Sequence, residues 1–373
     1  MAQSNKTVVI LCSGAGLGFY VPGLLISQQL RKRGLNTKIY IFEDLLEDIH
    51  KNNINKNVLE YRKNFKFAVT ASNIPHDVRK NLNSSKTLDL YSEWRKYGYC
   101  RFISLSGNWC CILNEYSKIV GNVKFKVDNL HLDADLSTSW RNAKKFFPPV
   151  HGGLHDMWLY NSETNTINYK IPSGDEAPIG FEERENRLLI HGGGWGIGVF
   201  RDLIPTLNSK GFNLDVLAYS YSDIKEAKDT IRYFLKDPNW NCWDLNSNNE
   251  YNFPPVEPVE SDCLPAFERC YSYNKLYEIS RKELAIISKP GAGTLIDSLS
   301  SCTPLIMLDC FGMHEKRNAS LWNDLGFGVY YSDWEKEKFS LDMIEKCHHR
   351  LVDISGTVPN LIEYYVSYYS SEE

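Results

Sequence analysis

The sequence predicts an α/β protein built of two doubly wound parallel domains that face each other across a cleft. Three observations carry this. The chain opens with a strand, a glycine turn, a helix and a second strand; the same alternation restarts after residue 186; and 373 residues favour two domains over one.

Taken in order, the apolar run Lys6–Cys12 reads as a buried strand and Ser13-Gly-Ala-Gly-Leu-Gly18 as a turn. An amphipathic helix follows from Pro22 to Arg33, stopped by Gly34, and the next strand is Thr37–Phe42. A strand, helix, strand unit implies a right-handed crossover in a parallel sheet. Further strands are expected at Phe65–Thr70, Arg101–Leu105 and Val123–Val127, with a helix at Trp109–Ile119. Between Tyr169 and Arg187 the chain gains Pro, Gly and acidic residues and loses periodicity. Residues 173–186 are therefore the expected linker between a first domain, 1–172, and a second, 187–356. The second domain carries strands at Arg187–Ile190, Leu214–Tyr219, Leu284–Ile287 and Leu305–Leu308. Asn239–Val259, rich in Asn, Pro and Trp, reads as an ordered loop, and residues 357–373 as a terminal helix packing on one of the domains.

A hydrophobic fraction of 43% and a net charge of −4 describe an ordinary soluble chain with sizeable cores. No basic face is indicated, so nucleic acid is not an expected partner. The run Val8–Leu11 is too short for a signal-peptide core, and no stretch approaches the roughly 20 apolar residues of a membrane span. The expected location is the cytoplasm. Ten cysteines, with Cys110 and Cys111 adjacent and no Cys-x-x-Cys pair, suit thiols in a reducing compartment. Arg141–Val150 mixes cations with aromatics as a membrane-surface loop does, but a solvated face over a few buried rings is the more ordinary reading, and peripheral membrane contact is not favoured.

The chemistry concentrates in Ser288-Lys-Pro-Gly-Ala-Gly-Thr-Leu-Ile-Asp297, which places a glycine turn between a strand and a helix N-terminus. Glycines let the backbone approach an anion, the first helical N–H groups point at it, and Lys289 adds a positive charge. A second loop of this kind, His191-Gly-Gly-Gly-Trp-Gly-Ile-Gly198, precedes the helical pattern Phe200–Leu207. Two anion-binding turns in one half of a chain suggest a diphosphate. Neither has the Gly-x-x-x-x-Gly-Lys-Ser/Thr pattern, nor Gly-x-Gly-x-x-Gly with an acidic residue about 20 positions later, which weakens P-loop and nicotinamide readings. Asp297, one helical turn past Thr294, is placed to accept from both hydroxyls of a ribose. A ligand of two such domains belongs in the crevice at the carboxyl ends of the strands.

These residues resemble the GT-B fold glycosyltransferases that use nucleotide sugars, in the branch of the monogalactosyldiacylglycerol synthases, the peptidoglycan N-acetylglucosaminyltransferase and the UDP-glycosyltransferases. The likeness is strongest over Leu188–Gly198 and Ser272–Gly328 and includes the pair Glu315 and Asn318. It implies two Rossmann-like domains, with Lys289, Gly291, Gly293 and Thr294 on the diphosphate, Asp297 on the ribose, and Gly193 and Gly194 closing from the other loop. Trp195 either covers the nucleotide or caps the core; His191 is either a structural histidine or part of the cleft lining. The base falls to Ser272 and Tyr273, and the sugar hydroxyls to Glu315 with His314 beside it.

The resemblance further implies sugar transfer from a nucleotide diphosphate sugar, UDP-based by preference, to a small-molecule or lipid acceptor. No cofactor or metal is expected, because Lys289 and two helix N-termini could stabilise the leaving diphosphate. The chain departs from the family in its first turn: Gly18-Phe-Tyr-Val-Pro22 lacks the histidine that usually serves as general base. Substitutes of the right chemical type are His131, Asp133, Asp135, His151, His155 and Asp156, with His151, His155 and Asp156 placed first. Gly152 and Gly153 argue against a helical metal site there. A nucleotide-sugar hydrolase or epimerase, and a non-catalytic nucleotide-binding subunit, are the alternatives.

Overall fold

The computed structural model describes residues 6–121, 126–147, 154–225, 229–260, 265–269 and 274–370. The first sheet has five parallel strands, β1 (Val8–Cys12), β2 (Thr37–Ile41), β3 (Arg101–Ser104), β4 (Lys126–His131) and β5 (Leu154–Trp158), in the order β2-β1-β3-β4-β5. A short hairpin, β6 (Tyr160–Asn161) with β7 (Thr166–Ile167), follows. The second sheet comprises β8 (Glu185–Ile190), β9 (Leu214–Ala218), β10 (Ile231–Lys236), β11 (Val256–Pro258), β12 (Glu283–Ser288), β13 (Leu305–Met307) and β14 (Gly328–Tyr330). Its order is β11-β10-β9-β8-β12-β13-β14, parallel except for β11 on β10. Strands such as β1 and β12 are buried along their whole length, as parallel strands covered on both faces must be.

Both sheets reverse strand order beside a glycine turn. The turn after β1 lies at the β2-β1-β3 reversal, and the turns after β8 and β12 flank the β9-β8-β12 reversal. Such switch points leave a crevice at the carboxyl ends of the strands. One apolar cluster runs from β1 and the helix Leu17–Lys32 into the second sheet, joining the two halves; another, around Trp94, Phe102 and Trp109, covers the opposite face of the first sheet.

Phe65–Thr70, read as a strand, is instead part of a helix, Phe65–Ser72. The side chain of Asn64 accepts the N–H of Phe67 at 3.0 Å and caps that helix, and only Ala68 of its residues is buried, so its Phe and Val have no sheet to join. The first helix begins at Leu17 and includes Pro22 rather than starting there. The loop at 239–259 contains β11, and the helices Asp48–Lys63 and Ser84–Tyr97 arise where the sequence showed no clear period.

The terminal helix, Leu361–Ser370, packs on the first domain. Tyr365 Oη reaches Met157 Sδ at 3.4 Å, Arg33 pairs with Glu363 at 2.9 Å, and Arg101 lies 5.2 Å above the Tyr369 ring. Among the described residues, no helix is long and apolar enough to cross a membrane.

Candidate active site

Between the two sheets lies a cavity of about 400 Å³, walled by the turn after β1 on one side and by the turns after β8, β12 and β13 on the other. Gly193, Gly194, Trp195, Lys289, Gly291, Gly293, Thr294, Asp297, His314 and Glu315 all line it. Ser272 and Tyr273 lie outside the described residues; Asn274 and Leu276, just beyond them, line the cavity.

The loop after β8 needs its glycines. Gly193 and Gly196 have φ of 69° and 66°, and a Cβ on Gly196 would meet the Tyr219 ring at 2.4 Å. Tyr219 Oη donates to the carbonyl of Gly193, while His191 Nδ1 accepts the Gly193 N–H at 3.1 Å and lies 3.3 Å from Ser288 Oγ. Burial, with Lys289 adding repulsion, pushes the His191 imidazole down to about 3. His191 is thus a neutral buried acceptor that ties the two glycine turns together and also lines the cavity.

The helix Ala292–Ser301 starts from Gly291 with no side-chain cap, and the helix Leu17–Lys32 starts from Gly16 in the same way. Both N-termini border the cavity, so two sets of first-turn N–H groups and two positive dipole ends converge on it from opposite domains. Lys289 is only 7% exposed, and its Nζ stands 3.4 Å from Glu315 Oε1. Glu315 Oε2 accepts the Phe311 N–H at 2.5 Å. Burial raises Asp297 to about 7, against the hydrogen bond donated by Ser173 Oγ at 3.1 Å.

The turn after β1 is occupied by a side chain of its own domain. Glu43, 1% exposed, accepts from Ser13 Oγ at 2.7 Å, Gly14 N at 2.6 Å and Ala15 N at 3.1 Å. Those donors are spent on a carboxylate and are not free for a ligand phosphate. Sequence reasoning missed Glu43; an acidic residue just past a buried strand was its only signal.

The candidate bases separate sharply. Asp133 lines the cavity, is 4% exposed, and has its carboxyl raised by burial. His155 and Asp156 do not reach it. They sit on the edge strand β5, where His155 Nδ1 is 3.3 Å from Asp128 and Asp156 is 3.1 Å from His131 Nε2, and they line a separate groove against the terminal helix. The two first-placed candidates thus stand apart from the cavity: β5 is two positions from the β1/β3 reversal, and its side chains are engaged with β4. His131 stacks on Trp158 with centroids 4.0 Å apart, and Asp135 turns back to its neighbour, accepting from Leu136 N at 2.7 Å. His151 lies outside the described residues.

Arg62 was also missed. From the helix Asp48–Lys63 it crosses to the second domain, donating through Nε to the carbonyl of Trp195 at 2.7 Å and through a terminal nitrogen to that of Tyr219 at 3.4 Å. The Trp195 ring lies 5.9 Å from Tyr61 of the same helix and 6.1 Å from Phe311. Trp195 thus touches rings of both domains while lining the cavity.

No protein-family profile matches this chain, and comparison with characterised proteins in sequence gives no match. Comparison of folds does. SsfS6 of Streptomyces sp. SF2575, a glycosyltransferase complexed with thymidine diphosphate, superposes with a TM-score of 0.60 at 13% identity, over 97% of this chain and 99% of that one. The glycosyltransferase SnogD of Streptomyces nogalater gives 0.57 at 12% identity with both chains covered in full, that is, 100% each. MurG of Acinetobacter baumannii gives 0.50 at 12% identity over 98% of this chain and 99% of its own. At such identities the likeness is one of fold, and by its two facing sheets, glycine turns and returning terminal helix this chain has the GT-B fold of those glycosyltransferases.

Proposed function

We propose that the protein transfers a sugar, a hexose by preference, from a nucleotide diphosphate sugar to a small-molecule or lipid hydroxyl, with a UDP-sugar as donor. The observation that carries the reading is that Asp133 of the first domain and Lys289, Gly291 and Asp297 of the second line one cavity. The bound thymidine diphosphate of SsfS6 supports a nucleoside diphosphate at this fold's cleft.

In this mechanism Lys289 and the N-terminus of Ala292–Ser301 hold the diphosphate, Asp297 holds the ribose, and Glu315 and His314 meet the sugar. The acceptor oxygen attacks the anomeric carbon. Its proton passes to the Asp133 carboxylate, the bond from the anomeric carbon to the phosphate oxygen breaks, and the electron pair leaves with the diphosphate. Fixed donors and dipoles in a water-poor cleft stabilise that developing charge without a metal. The described cysteines are all free thiols, which supports a reducing, cytoplasmic setting.

A thermal-shift series with uridine, thymidine, guanosine and cytidine diphosphates, followed by product analysis with the sugars of the best binder, tests the reading. A ligand at 100 times its Kd adds about 2.7 kcal/mol to stability. No shift with any diphosphate would remove the donor site, and a shift without sugar release would leave a binding subunit.

A further inference from the structure

Asn318 lies in the helix Met313–Leu325 of the second domain, yet its side chain, entirely buried, reaches into the first. Its amide Oδ1 accepts the N–H of Ala134 at 2.7 Å. Its Nδ2 donates to Asp133 Oδ1 at 2.8 Å and to the carbonyl of Pro290 at 2.8 Å. Both amide protons and the amide oxygen are used, which fixes the orientation of the group and leaves it no other arrangement of equal satisfaction. One side chain thus connects the Asp133 carboxylate, the backbone that follows it, and the glycine turn that precedes Ala292–Ser301.

We propose that Asn318 is the positioning residue for Asp133, holding its carboxylate towards the cleft and tying it to the diphosphate turn of the other domain. The inference rests on Asp133 acting as the base. A carboxylate buried to this degree resists ionisation, and the groups around it oppose one another: His314 and His131 favour the charge, Glu315 disfavours it, and Asp133 in turn disfavours loss of the Tyr160 proton. The Asn318 amide is the uncharged donor in that set, so it supports the ionised base without adding a proton that could compete for the acceptor's. It also sets which oxygen of Asp133 remains for the acceptor, because Oδ1 is occupied. Opening the cleft here would break the two bonds to Asp133 and Ala134 and leave a buried amide and carboxylate to be hydrated together.

The test reads the carboxyl group directly. The full chain is labelled with [γ-13C]aspartate, the Asp133 signal is assigned by its loss in Asp133→Asn, and its titration midpoint is followed in wild type, Asn318→Ala and Asn318→Asp. Removing a hydrogen bond to the charged form should raise the midpoint by about one pH unit or more. Asn318→Asp keeps the volume and serves should the alanine variant not fold; its added charge should raise the midpoint as well. A midpoint that stays in place in a folded variant overturns the proposal, whatever happens to melting temperature. The base reading is judged separately: if Asp133→Asn keeps full turnover with a UDP-sugar donor, Asp133 is not the base even where the midpoint moves.

Discussion

Lys289 Nζ and Glu315 Oε1 form a buried ion pair at 3.4 Å on the wall of the cleft. A lysine held by a carboxylate is oriented before a phosphate arrives, and the Glu315 charge limits how strongly it attracts anions in general. A diphosphate that binds here competes for Lys289 with Glu315, whose second oxygen stays anchored by Phe311 N.

Lys289→Ala should therefore weaken UDP much more than uridine. Loss of a charge-assisted hydrogen bond corresponds to about 1.5–3 kcal/mol, or roughly ten- to a hundredfold in Kd. The variant should also be less stable, because it leaves Glu315 buried without its cation. Titration calorimetry with both ligands decides: equal losses for UDP and uridine would take Lys289 away from the diphosphate.

Gly293 lines the cavity in the first turn of Ala292–Ser301, and a Cβ built there meets nothing within 4 Å. In the free protein Gly293→Ala should be neutral or stabilising by up to about 1 kcal/mol, as alanine is the better helix former. Its methyl group would stand where a phosphate must approach the backbone. The expected result is an unchanged or higher melting temperature together with at least a tenfold loss of UDP affinity; retained affinity would exclude close phosphate approach at this turn.

Asp297 gives a pH signature. Its folded carboxyl is raised to about 7, whereas an unfolded aspartate ionises near pH 3.9. Between these values the folded state keeps a proton that the unfolded chain has released, so wild-type stability relative to Asp297→Asn should fall from about pH 4 to 7 and level off above. Urea unfolding of both proteins at several pH values measures this, and parallel curves would refute the raised carboxyl. For the ligand, the ionised form is the acceptor. Asp297→Asn should weaken UDP more than 2′-deoxy-UDP, and equal weakening would make Asp297 purely structural.

Asp133→Asn should lower turnover by roughly 10²–10⁴, the usual effect of removing a general base, with UDP affinity changed little. His155→Ala and Asp156→Ala, which line the other groove, should keep near-normal turnover. Steady-state rates with the best donor settle the choice, and a large loss in the β5 variants with normal Asp133→Asn turnover would reverse it.

The glycine-turn wall of the cavity was legible in the chain because it is local. Lys289, Gly291, Gly293, Thr294 and Asp297 lie within nine residues of one another, and a glycine turn between an apolar run and a helix has only a few backbone geometries. Gly193 and Gly194 were readable for the same reason. The helix Asp48–Lys63 was not, since it buries none of its residues and so leaves no apolar period, and Phe65–Ser72 looked like a strand because its Phe and Val composition outweighed the Asn64 cap.

The sequence by itself determined the two-domain α/β architecture, the parallel sheets and the glycine turns, because apolar runs, breakers and helical spacing act over a few residues. Tertiary structure alone decided which carboxylate faces the cleft. His131, Asp133, His155 and Asp156 are equivalent in chemical type along the chain, but β5 forms the sheet edge, Asp133 stands past the end of β4, and Asn318 arrives from 185 residues away to hold it. Side chains meet across a cleft only once two cores have folded and docked. No local pattern records that meeting, which depends on the packing of the whole chain.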